Sequence, residues 1–170
     1  VAILDFMIAN PKSLGSFLLL PALAVCVLAG CGGGSPEEEF AAEANSICAE
    51  FEEFSSGQEQ LFREQVSSGD FEQAATTFEQ YGEELDSSIA RISSLERPAG
   101  EQASIERFIS SSEELAGLVP GVVDALRESD TATLVSVATR LQELQKKADR
   151  AARASGLDQC AEAGPVTGST

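Results

Sequence analysis

The chain has 170 residues, with 11 basic side chains against 28 acidic ones, a formal net charge of −17, and neither His nor Trp. Such acidity repels nucleic acid and anionic headgroups, so it excludes nucleic acid as a partner and leaves the protein surface unsuited to holding a membrane. The missing His removes the commonest general base, the commonest transition-metal ligand and the usual partner of a Ser or Cys nucleophile.

Taken in order, the chain opens with a poor leader, because Lys12 is its only basic side chain and Asp5 cancels it. Met7 is the expected start, giving MIANPKSLGS, with Val1 as a non-AUG start the alternative. Residues 17–31 then read FLLLPALAVCVLAGC, an apolar run shorter than the roughly 20 residues a bilayer span needs. A short apolar run closing on small residues marks a signal peptide. Its ending, Leu28-Ala29-Gly30-Cys31, resembles the lipobox of the bacterial lipoprotein family. The resemblance implies cleavage between Gly30 and Cys31, diacylglycerol on the Cys31 sulfur, and a membrane reached through that lipid. Release by ordinary cleavage after Ala29 or Gly30, or an uncleaved anchor, are the alternatives. Each buried methylene of the acyl chains adds about 0.8 kcal/mol, and two or more chains are needed for a stable hold. The implied location is extracytoplasmic, lipid-anchored to the cell membrane, or to an outer membrane where one exists, since Gly32 rather than Asp follows the cysteine. Lys12 and Asp5 leave together with Cys26, so the mature charge stays at −17.

Residues 31–35 are expected to be a flexible tether, residues 36–160 a helical domain and residues 161–170 a disordered tail. Ser35 is placed to cap the first helix, with Pro36 at its first position and Glu37, Glu38 and Glu39 in its first turn, where acids complement the helix dipole. Phe40, Ala44, Ile47, Phe51 and Phe54 step by four and three, predicting a helix over residues 36–54. Ser55-Ser56-Gly57 is expected to interrupt it, with residues 58–67 forming a short extra helix. Asp70 caps the next helix, whose stripe is Phe71, Ala75, Phe78, Gly82, Leu85, Ile89 and Ile92. Tyr81 is expected at its rim with the hydroxyl toward water, and Pro98 and Gly100 make the following turn. A third helix from Glu101 carries Ile105, Phe108, Leu115, Val119, Val122 and Leu126, and Pro120 should kink or split it near Gly117. Ser129 or Asp130 caps the last helix, with Leu134, Val137, Leu141, Leu144, Ala148 and Ala151 on its stripe and Gly156 as its stop.

Strand signals are nearly absent. The expected fold is all-α, an antiparallel four-helix bundle of up-down-up-down topology. Cys48 and Cys160, an even pair in an exported domain, read most simply as a disulfide, with two free buried thiols the alternative. Closing so long a loop stabilises by roughly 4–5 kcal/mol in the chain-entropy model. In this topology the bridge ties the first helix to the last.

No motif predicts catalysis. Acid clusters such as Glu50-Glu52-Glu53 and Glu83-Glu84-Asp86 fall on outer helix faces and match no calcium loop, and no cofactor or metal is expected. The glycines at 32–34 precede no Gly-Lys-Ser/Thr signature. Lys146, Lys147, Arg150 and Arg153 form a basic patch that suits a helix C-terminus, with a binding site as the alternative. Asn45-Ser46-Ile47-Cys48, Arg97-Pro98-Ala99-Gly100 and Gly156-Leu157-Asp158-Gln159-Cys160 together resemble small helical lipoproteins of high-GC bacteria. That resemblance implies a disulfide-stapled helical domain and carries over no activity. The expected function is non-catalytic: an envelope interaction or structural module whose partner is another envelope protein. The alternative is an extracytoplasmic protein that binds a small ligand between helices near Pro120, in a pocket lined by Phe78, Leu115 and Val119.

Overall fold

The structure, a computed structural model, describes residues 34–162. Residues 1–33, with the expected signal peptide and Cys31, and residues 163–170, most of the expected tail, lie outside the described residues. All regular structure among the described residues is helical: α1 (Pro36–Ser68), α2 (Phe71–Ser93), α3 (Gln102–Ala116), α4 (Val119–Arg127), α5 (Thr131–Arg153) and α6 (Asp158–Glu162).

The helix starts follow local chemistry. Ser35 Oγ accepts the Glu38 amide while the Glu38 carboxylate accepts the Ser35 amide, a complete capping box at the head of α1. Asp70 accepts the Gln73 amide at α2. Asp130 accepts the amides of Ala132 and Thr133 and the Thr133 hydroxyl at α5. That hydroxyl bond, with the amide bonds behind it, holds the Asp130 carboxyl below the usual carboxylate range. Gly69 and Gly156 turn the chain in left-handed conformations, φ 78° and 67°, that suit residues without a side chain.

Two departures from the expected elements have physical causes. First, α1 is one helix of 33 residues, uninterrupted at Ser55-Ser56-Gly57. Ser55 is buried and its hydroxyl donates to the Glu52 carbonyl, so it stays inside the helical ladder. On either side of the weak point, Phe51 packs tilted against Tyr81 and Phe62 against Phe78, with ring centroids 5.4 and 5.6 Å apart. Tertiary packing on α2 therefore carries α1 across a glycine that costs a helix only about 1 kcal/mol. Second, α6 occupies the segment after Gly156 and runs into the first two positions of the expected tail, with Ala161 buried. The third helix splits as expected: Pro120 cannot donate to a preceding carbonyl, so α3 ends at Ala116 and α4 restarts with Pro120 in its first turn.

The bundle closes differently from a simple ring. α1 packs on α2, α2 on α3 and α4, and α5 on α3 and α4, but α1 and α5 are not among the close pairs. Instead α6 packs against both of them. The Cys48–Cys160 disulfide, with Cα atoms 4.9 Å apart, accordingly joins α1 to α6 rather than to α5. Asn45 fastens the same corner: its amide nitrogen donates to the Gly156 carbonyl at 3.1 Å, and its oxygen accepts the Gln159 amide at 3.0 Å.

Two cores result. One, at the capped end of α1, gathers Phe40, Ala44, Ile47, Ile92, Ile105, Phe108, Leu144 and Leu157 around the disulfide. The other, at the Gly69 end, packs Ala74 and Ala75 of α2 against Val119, Val122, Val123 and Leu126 of α4. Gly82 lets α4 approach here, since a β-carbon at that position would lie 2.5 Å from Val119 Cγ1.

Candidate functional site

At the capped end, α6 fills the space between α1 and α5. Toward the Gly69 end none of the described residues does, and a cavity of about 310 Å³ opens there. That volume is within the lower range of small-molecule sites. Phe62 and Val66 of α1, Phe78 of α2, Leu126 of α4, and Leu134 and Leu141 of α5 supply its apolar walls. Ser55, Gln58, Glu59, Thr77 and Gln142 add the polar atoms. The two hydroxyls are already engaged: Ser55 donates to the Glu52 carbonyl and Thr77 donates to the Gln65 side chain at 2.9 Å. Glu59 pairs with Arg63 one turn along α1. Gln58 is different, because its Oε1 is buried and has no hydrogen-bond partner.

Tyr81 forms the inner wall. Its ring lies 5.5 Å from Phe78 and 5.4 Å from Phe51, continuing an aromatic row that begins at Phe62. The same ring lines a second, smaller space of about 40 Å³ beside Ser88, Phe108 and the disulfide. Tyr81 is thus a partition, buried rather than at the rim, and the sequence expectation for it is corrected. Burial pushes its phenol well above the ordinary tyrosine value.

The pocket expected near Pro120 is therefore displaced. Phe78 lines the larger cavity; Leu115 lines the smaller one; Val119 is spent on the contact with Gly82. Pro120 itself is exposed. The sequence signal for this cavity was Ser55 and Gln58, two polar residues on the α1 face that carries Phe51 and Phe62 on either side.

Compared with known proteins, the chain matches no family model, no curated protein and no solved structure.

The remaining candidate residues are placed as follows. Cys48 and Cys160 meet as a disulfide, while Cys31 lies outside the described residues. In the basic patch, Lys147 pairs with Glu114 of α3 at 3.1 Å and Arg153 donates to the Ala161 carbonyl at 3.4 Å, so both tie α5 to its neighbours. In the acid clusters, Glu50 pairs with Arg91 across α1 and α2. Among the described residues no group of three His, Cys, Asp or Glu side chains converges on a metal position. Asp149, which no motif singled out, is raised by partial burial, against the hydrogen bond from Gln145 and the charges of Arg153 and Arg150. Among the described residues no helix is long and apolar enough to cross a membrane.

Proposed function

We propose that the protein is a lipid-anchored envelope component, without a catalytic role, that binds a small and largely apolar molecule between α1 and α5. The observation that carries this reading is the cavity of about 310 Å³ walled by Phe62, Phe78, Leu126, Leu134 and Leu141. The geometry favours it over the structural-module reading, because a helix pair left apart over apolar side chains forfeits burial worth about 25 cal/mol per Å² unless something occupies the gap. The Leu28-Ala29-Gly30-Cys31 motif supports the anchor.

One observation keeps a protein partner as a second reading. Leu61 and Val135, 45% and 66% exposed, adjoin the lining residues Phe62 and Leu134 in sequence and add apolar surface nearby.

The test is fluorescence of N-phenyl-1-naphthylamine, an apolar dye, mixed with the native protein. Brightening that is lost in Ala138→Trp, which fills the cavity from the α5 side, supports ligand binding. No brightening with the folded protein overturns it and leaves the partner reading. Intact mass of the native protein tests the anchor: loss of residues 1–30 with lipid mass on Cys31 supports it, and an unlipidated product cut near Gly30 refutes it.

A further inference from the structure

We infer that the molecule held between α1 and α5 is a single-chain amphiphile of about ten heavy atoms whose polar end is uncharged or cationic, never a carboxylate or phosphate. The inference rests on the ligand-binding reading and adds to it the chemistry of the ligand. Size comes first. A volume of about 310 Å³ equals roughly ten water-sized groups at about 30 Å³ each, the span of one short alkyl chain with a head.

Charge decides the head. Among the described residues no Lys or Arg lines the cavity, whereas Glu59 does. Arg63, next to the lining residue Phe62 in sequence, is already held by Glu59. On the neighbouring walls, Arg127 of α4 is turned to Glu72 and Glu79, and Arg140 of α5 to Glu114 and Glu143. An anionic head would enter without a counter-charge, against the field of a chain carrying −17. An ammonium would share the Glu59 carboxylate, about 30% exposed, with Arg63, and the field of the acidic chain would favour it.

Gln58 supplies the neutral contact. Its oxygen is buried without a partner, and no hydrogen bond to the described residues holds its amide, so turning it to an alcohol or amine sacrifices nothing. Ser55 and Thr77, the hydroxyls beside it, are committed to Glu52 and Gln65 and leave Gln58 as the free polar group of the inner wall.

Calorimetric titration of the full-length protein at neutral pH with 1-decanol, decylamine and decanoate tests this. Decanol and decylamine should bind at least ten-fold more tightly than decanoate, and added salt should weaken decylamine alone. Glu59→Gln should weaken decylamine, tighten decanoate and leave decanol unchanged, with the far-ultraviolet spectrum confirming the helical fold. Decanoate binding as tightly as decanol overturns the inference while leaving the ligand-binding reading intact. If none of the three binds and the naphthylamine dye also fails, the reading falls and the inference with it.

Discussion

Tyr81 and Gly82 stand side by side on α2 and do opposite things. Tyr81 is the only tyrosine of the chain, and its burial among aromatic neighbours pushes its phenol well above the ordinary tyrosine value. Its folded pKa is raised, so its contribution to stability is intact below the unfolded value near 10 and is lost as pH rises beyond it. Phenolate absorbance should therefore stay absent in the native protein past that pH and appear together with loss of helicity. Tyr81→Phe should move the alkaline transition upward. Gly82 lies directly against Val119 of α4. Gly82→Ala should lower stability by about 1–2 kcal/mol in a denaturant melt, the cost of overpacking on Val119 less the helix propensity gained. Adding Val119→Ala should return part of that loss, because the two sites share one contact. The stripe through Phe78, Gly82, Ile89 and Ile92 was legible in the sequence. The second stripe on the same helix, Ala74, Tyr81 and Ser88, was not, because α2 is buried from several sides and that face is built of small and polar residues.

Among the elements, the caps were the most readable part. Ser35, Asp70 and Asp130 announce α1, α2 and α5 through short-range bonds that need no tertiary context. The split at Pro120 was equally local. What escaped was decided at long range: the unbroken α1, held straight by aromatic contacts with α2, and α6, too short to carry a periodic pattern. Asn45 explains why the Asn-Ser-Ile-Cys and Gly-Leu-Asp-Gln-Cys stretches belong together, since its one side chain serves both the Gly156 carbonyl and the Gln159 amide. Asn45→Ala leaves those groups unpartnered at the corner where α6 docks. It should cost about 1–3 kcal/mol by equilibrium unfolding and speed hydrogen exchange in α6 before any other helix.

For the whole molecule, the all-α class, the antiparallel order and the disulfide were within reach of the sequence; the way the ring closes was not. An evenly closed bundle would place α5 against α1 throughout, whereas here α6 supplies the contact at one end and the other end stays parted. Because apolar side chains line either arrangement, periodicity alone does not separate a filled seam from a cavity. Reducing the Cys48–Cys160 bridge frees a loop spanning 112 residues, which should lower stability by roughly 4–5 kcal/mol, read as a shift of the denaturation midpoint with and without reductant. Cys160→Ser should reproduce the shift and make it insensitive to reductant.

The same bridge also decides how the molecule bears load. Everything from α2 to α5 lies within a covalent ring whose two ends meet between Cys48 and Cys160. Tension applied at the two termini passes across that bond and bypasses the helices inside the ring. Stretched in optical tweezers, the oxidised domain should surrender mainly the stretch of α1 before Cys48, about 40 Å when drawn out. Reduction should lengthen it by a further 112 residues, about 390 Å. The residues that line the cavity, from Ser55 to Gln142, all lie inside that ring and are shielded from the pull.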